Sequence, residues 1–137
     1  MDIQSTIPVD LHLIAHLEAS MRLEIHSSRI AVSDSTQAYV ERRLGFALGR
    51  FADVVERVVV SLADINGPRG GIDKSCRIRV KLMGQQTPVI VEVLELEIRP
   101  AVDMAADRIG RAVARQLDRR TPRRSFDKRV EALQTAD

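Results

Sequence analysis

Arginines near the C-terminal end form the most distinctive chemical pattern in this chain of 137 residues. Residues 108–124 hold seven arginines against one acid, Asp118, a local charge of +6 in a protein whose formal net charge is +2. Each guanidinium presents a planar fork of donors that matches a phosphate group, so the cluster predicts a phosphate-bearing partner. The candidates are Arg108, Arg111, Arg115, Arg119, Arg120, Arg123 and Arg124.

The first four of these arginines fall on one face of a predicted helix. At about 100° per residue, their spacing places them within a sector roughly 80° wide. That sector lies beside the apolar stripe of the helix rather than opposite it. The alternative is a solvated face, in which Asp107–Arg111 and Asp103–Asp107 act only on helix stability. We favour phosphate binding because the basic run continues beyond the helix.

This second helix is predicted from Pro100 to about Arg120. Proline suits a first helical turn, where its missing N–H leaves nothing unpaired. Pro122 disfavours helical backbone at Thr121, which sets the end. The inner face is predicted to comprise Val102, Ala105, Ile109, Val113, Gln116 and Leu117.

Two elements are predicted near the start. Residues 21–26 alternate apolar and polar side chains, as a half-buried strand does. Ser33 is a suitable N-cap for a first helix, and Asp34 suits its first turn. That helix runs to about Arg50, with apolar positions at Val40, Leu44, Ala47, Leu48 and Phe51.

Three strands are predicted between the helices. The second has Val58, Val60 and Leu62 on its inward face, and the third has Cys76, Ile78, Val80 and Leu82. The fourth begins with apolar residues at odd positions 89, 91 and 93 and continues at even positions 94, 96 and 98. This change of phase predicts a β-bulge or a break at residues 93–94.

The resulting order is β-α-β-β-β-α, an α+β fold. Each helix has one apolar stripe and each strand one apolar face, so a four-stranded sheet with both helices on one face buries them all. The other face of the sheet would present Arg22, Glu24, Arg77, Arg79, Lys81 and Glu92. Among these, Arg77, Arg79 and Lys81 are secondary candidates for phosphate binding. Arg69 is another, although its glycine-rich segment is better explained as a hairpin loop.

The chain divides into three predicted segments. Residues 1–20 form an N-terminal extension, in which Leu13, Ile14 and Leu17 could form one short amphipathic helix. Residues 21–120 form the α+β domain. Residues 121–137 form a basic tail, in which the spacing of Phe126, Val130 and Leu133 allows a short docking helix.

Several functional classes are excluded or disfavoured. A single cysteine, Cys76, rules out an internal disulfide and a multi-cysteine zinc site. No nucleophile–base pair or set of three metal ligands emerges, so we expect neither an enzyme nor a metal or other cofactor. No apolar run is long enough to span a membrane, and the first ten residues are unlike a signal peptide. We therefore expect a cytoplasmic protein with no membrane partner and no small-molecule substrate.

Two segments of the sequence resemble the ribosome hibernation-promoting factors and ribosome-associated inhibitors. The first includes Val32-Ser33-Asp34, YVERRL at 39–44 and RFAD at 50–53. The second is VDMAADRIGR at 102–111, with Arg115 after it. The resemblance covers residues 21–120, and the order of elements agrees with it. The chain is similar to the short form, without a C-terminal dimerisation domain.

The resemblance implies binding in the decoding groove of the small ribosomal subunit, with its RNA as partner, and a block on translation. The basic helix positions of the family match Arg43, Arg108, Arg111 and Arg115 in this sequence. Two features depart from the family pattern: Arg99-Pro100 before the second helix, and Phe46 near a position that often carries lysine. Two other functions compatible with the residues are an adaptor domain that binds a protein and a general binder of double-stranded RNA.

Overall fold

A computed structural model describes residues 11–16, 21–65 and 72–120. Five strands and two helices make up these ranges. In chain order they are β1 (Leu11–His16), β2 (Arg22–Ser28), α1 (Asp34–Leu48), β3 (Val55–Asp64), β4 (Lys74–Leu82), β5 (Val89–Glu95) and α2 (Ile98–Arg120). A short 3-10 helix, Gly49–Phe51, follows α1.

The strands form one mixed sheet in the order β1-β2-β3-β4-β5. Strands β2 and β3 are parallel, and α1 is the crossover between them. The other neighbouring pairs are antiparallel. The predicted α+β class and the order β-α-β-β-β-α are confirmed for β2 through α2.

The fifth strand was not anticipated. Residues 11–16 form β1, which pairs with β2 from Leu11↔Ser27 to His16↔Arg22, so the short helix predicted around Leu13 is wrong. The free edge of β2 presents a row of backbone N–H and C=O groups, and pairing with them outweighs a weak local preference for helix. The tail helix predicted at 126–133 and the loop at 66–71 lie outside the described residues.

Local signals set the ends of both helices. The Ser33 hydroxyl accepts a hydrogen bond from the Thr36 backbone N–H at 3.1 Å, which confirms the predicted N-cap of α1. Pro100 lies in the first turn of α2, and that helix reaches Arg120 as predicted. Ile98 begins α2 two residues earlier than expected.

The core lies between the sheet and the two helices. All seven residues predicted to face inward on the second and third strands are buried, as are Val40, Leu44 and Leu48 of α1. From α2 the core receives Val102, Ala105, Ile109 and Val113. These residues form one apolar cluster, which holds both helices on the same face of the sheet.

The change of phase near residue 93 marks the end of a strand. The pairing of β4 with β5 runs without a register shift from Lys74↔Glu95 to Val80↔Val89, so the β-bulge is wrong. Leu94 and Leu96 are exposed, and Ile98 already belongs to α2. The even-numbered apolar residues therefore do not continue the inward face of β5. No helix in the described ranges is apolar over a length that would cross a bilayer.

Candidate nucleic-acid interface

A polar cluster joins the two helices. The Arg43 Nε donates to Asp103 Oδ1 at 2.8 Å, and its Nη2 donates to Asp103 O at 3.3 Å and to Asp107 Oδ1 at 3.2 Å. The Tyr39 hydroxyl donates to the same Asp103 oxygen. Tyr39 and Arg43 are one turn apart on α1, as Asp103 and Asp107 are on α2, so the two helices run in the same direction.

The cluster raises the pKa values of Arg43 and Tyr39. Partial burial of Arg43 disfavours its charged form, but hydrogen bonds to Asp103 and Asp107 outweigh this effect and raise its pKa. The hydrogen bond to Asp103 is the main reason that the pKa of Tyr39 lies above its ordinary value of 10.0. The Arg99 guanidinium also lies 4.7 Å from the centre of the Tyr39 ring. Arg43 is therefore engaged in holding the helices together, and its side chain is only 23% exposed.

A glycine allows the helices to approach closely beyond this cluster. A Cβ atom at Gly110 would lie 3.3 Å from the Ala47 carbonyl oxygen, which is tighter than an ordinary contact. Gly110 thus lets α2 pack directly against the backbone of α1.

The space above this contact is a shallow groove of about 370 Å³. Both helices contribute basic side chains to it, and α1 adds an aromatic ring. The lining residues are Arg43, Phe46, Ala47, Arg50, Ala106, Asp107, Gly110 and Arg111. Phe46 is 85% exposed, the most exposed large apolar side chain in the described ranges.

The predicted arginine row is present on α2. Arg108, Arg111, Arg115 and Arg119 are all exposed, and Arg111 lines the groove. Within residues 11–16, 21–65 and 72–120, none of these four guanidiniums has a hydrogen-bond or ion-pair partner. Asp107, the predicted partner of Arg111, pairs with Arg43 instead. Within the described part of the chain, the row is thus a set of unpaired cations on a helix that packs firmly on the core.

The remaining predicted arginines are placed only in part. Arg120 is the last residue of α2. Arg69, Arg123 and Arg124 lie outside the described residues.

The secondary candidates lie on the opposite face of the sheet. Arg77, Arg79 and Lys81 are exposed there, and Lys81 Nζ lies 3.6 Å from a Glu56 oxygen. Arg79 and Lys81 border a depression of about 270 Å³ that also includes Arg57. The predicted basic residues therefore separate onto two faces of the molecule.

Glu24 differs from its predicted exposure on that outer face. It is only 7% exposed and lies among basic side chains of β2 and β3. Its carboxylate lies 3.1 Å from Arg57 Nε, 3.9 Å from Arg22 Nε and 3.5 Å from His26 Nε2. Cross-strand pairing of Arg22 with Arg57 brings these charges together, which the sequence of one strand does not reveal.

Cys76 lies on the inward face of β4 and is fully buried. Burial raises the pKa of its thiol to about 12, because the thiolate would be poorly solvated there. The sequence-based interpretation of Cys76 as a small core residue is confirmed.

The sequence analysis did not identify three residues that contribute to the groove or to the polar cluster between the helices. Arg50 and Phe46 line the groove, and Tyr39 fixes Asp103. A usable signal was present, because positions 43, 46, 47 and 50 follow the i, i+3, i+4, i+7 spacing of one helix face. The spacing does not show that α2 packs beside this face, and it is α2 that makes the face one wall of a groove.

Comparison with known proteins adds two similarities. A family described as "Sigma 54 modulation protein / S30EA ribosomal protein" matches residues 23–121. The crystal structure of the Thermus thermophilus Protein Y N-terminal domain is 29% identical in sequence. The match covers 68% of this chain and 92% of that one, with a TM-score of 0.53. No curated protein gives a significant match.

Proposed function

This chain belongs to the sigma 54 modulation and S30EA ribosomal protein family, and from that membership we propose that it binds small-subunit ribosomal RNA through α1 and α2 and blocks translation. The protein would act as a non-enzymatic hibernation factor on ribosomes in the cytoplasm. Its ligand is the RNA backbone, and the proposal involves no cofactor, membrane or small-molecule substrate.

One observation carries the proposal: four exposed arginines on α2 have no protein partner among the described residues. Neighbouring cations repel one another, and a phosphate backbone would relieve that repulsion. The row is anchored by the buried Ile109 and Val113 of the same helix. A rigid row loses less conformational freedom on binding than a flexible tail would.

The basic residues would have different roles in RNA binding. We assign direct phosphate contacts to Arg108, Arg111, Arg115 and Arg119. Arg43 would act mainly by fixing α1 against α2, because its donors are already engaged by Asp103 and Asp107. Continuation of the row through Arg120, Arg123 and Arg124, and a contact from Arg69, are part of the same proposal.

The outer face would supply secondary contacts through Arg77, Arg79 and Lys81. It lies on the other side of the sheet from α2, so one flat surface could not touch both sets. A binding site that surrounds the protein, such as a cleft between RNA elements, would reach both.

Co-sedimentation through sucrose gradients tests the proposal. The protein should travel with small subunits or whole ribosomes at low salt, and rising salt should strip it off because each neutralised phosphate releases counterions. Recovery only in the soluble fraction at low salt, from growing and starved cells alike, would refute it. Salt-insensitive binding to a protein would favour the adaptor function, and equal affinity for free RNA duplexes would favour general duplex binding.

A further inference from the structure

We propose that Phe46 stacks on an unpaired RNA base while Arg50 and Arg111 hold the flanking phosphates. This inference rests on the proposed function and specifies the RNA feature bound: a base splayed out of a loop, bulge or junction. That base would bind in the groove between α1 and α2.

The first argument is the exposure of the ring. Phe46 lies on α1 among residues that face away from the core, and 85% of its surface is exposed to water. It is not among the buried or half-buried apolar side chains of the core cluster. A bound planar ring would remove this apolar surface from water, which no contact within the described fold does.

The second argument is the charge around the ring. Arg50 of the 3-10 helix that follows α1 and Arg111 of α2 line the same groove as Phe46. Arg111 has no described protein partner, and the Arg50 guanidinium lies 4.6 Å from the centre of the neighbouring Phe51 ring. Neither guanidinium forms a salt bridge within the described residues, so both can meet a phosphate. Proteins hold single-stranded RNA with bases stacked on aromatic rings and phosphates on neighbouring cations.

The third argument selects an unpaired base over a duplex or a protein. Bases within a duplex stack on one another and expose no face to a side chain. A protein surface that buried Phe46 would also have to desolvate Arg50, Arg111 and Asp107, which border the same groove. The groove of about 370 Å³ falls within the range of roughly 300–1,000 Å³ for small-ligand sites. Stacking alone does not distinguish one base from another, so we infer no base identity.

Three variants of one residue test the stacking. Phe46→Tyr keeps the aromatic face, Phe46→Leu keeps only apolar surface and Phe46→Ala removes both. Affinity for purified small ribosomal subunits is measured by co-sedimentation across a series of salt concentrations. Stacking predicts that Phe46→Tyr binds within about two-fold of the unmodified protein, while the other two lose about five-fold or more. The slope of log affinity against log salt should stay unchanged, because no phosphate contact is lost.

Leu96→Ala is the matched control. Leu96 is an exposed apolar residue between β5 and α2, and it belongs to neither set of proposed RNA contacts. Its replacement should leave affinity unchanged. Thermal melts of all four variants verify folding, which is expected because each changed side chain is exposed.

Each other outcome overturns the inference in a recognisable way. Retained affinity in Phe46→Leu with loss in Phe46→Ala would indicate an apolar pocket on a protein. Unchanged affinity in all three Phe46 variants would remove the stacking role and leave the proposed function standing. Absence of subunit binding by the unmodified protein would remove the proposed function, and this inference with it.

Discussion

Replacing Arg111 and Arg115 with glutamine should separate binding from stability. Both side chains are exposed, and neither has a hydrogen-bond or ion-pair partner in the part of the chain that the structure describes. Glutamine has nearly the helix propensity of arginine. The free energy of unfolding of the Arg111→Gln, Arg115→Gln variant should therefore change by no more than about 0.5 kcal/mol.

Binding to small subunits should change much more. Two lost phosphate contacts should make the slope of log affinity against log salt shallower by about two, at roughly one per contact. The loss of affinity should be largest at low salt and shrink as salt rises, because the electrostatic contribution itself is screened. Co-sedimentation with purified subunits at several salt concentrations measures both quantities.

Arg43→Gln provides the matched control on the other helix. It removes three hydrogen bonds to Asp103 and Asp107 across the helix interface. Unfolding by urea should show a loss of about 1 to 2 kcal/mol, since charge-assisted bonds are strong but this site is partly open to solvent. If the double variant binds with unchanged affinity and salt slope, the row on α2 is only a solvated face and our reasoning about phosphate contacts is wrong.

Three further tests address the fold and its titrating groups. Gly45→Ala should raise the free energy of unfolding in urea by up to about 1 kcal/mol, because its new methyl meets no other atom. Gly110→Ala should raise it by less, because its methyl would crowd the backbone of α1. Equal increases in the two variants would contradict the close packing of the helices at Gly110. Tyr39 is the only tyrosine in a chain without tryptophan, so absorbance at 295 nm reports its ionisation. The midpoint should lie above 10.0, and the stabilisation from the neutral hydroxyl should be lost as pH rises through that midpoint. Asp103→Asn should lower the midpoint, because it removes the carboxylate that accepts the hydrogen bond. Cys76, with a pKa of about 12 and full burial, should resist a thiol reagent until the protein is unfolded, and rapid reaction of the native protein would show an accessible thiol.

Much of the architecture could be predicted from periodicity. Alternation in β3 and β4 identified the inward residues of both strands, because burial of one face is the main determinant of each element. The 3.6-residue spacing in α2 identified four buried positions but missed Ala101 and Ala106, and the predicted Gln116 and Leu117 are only half-buried. The N-cap at Ser33 and the first-turn Pro100 were readable because capping depends on a few adjacent residues. The family resemblance rested on the ordered combination of these same segments.

Strand β1 and the end of β5 were missed for a common reason. Residues 11–16 are a strand because they pair with the edge of β2. The pattern of apolar residues within 11–16 does not show that this edge is available. Leu94 and Leu96 are apolar and alternate, yet they lie where the chain leaves the sheet for α2. Local propensity is weak compared with tertiary pairing in both places.

The sequence by itself determined which residues are cations, and that four of them share a face of α2. Only the tertiary structure decided which cations are free. Arg43 and Arg111 are similar in the sequence, but packing of α1 beside α2 brings Asp103 and Asp107 to Arg43 and leaves Arg111 without an ion-pair partner among the described residues. The same packing turns Phe46 and Arg50 into one wall of a groove. Ion pairing acts over a few ångströms, so it depends on neighbours in space, which a linear sequence does not specify.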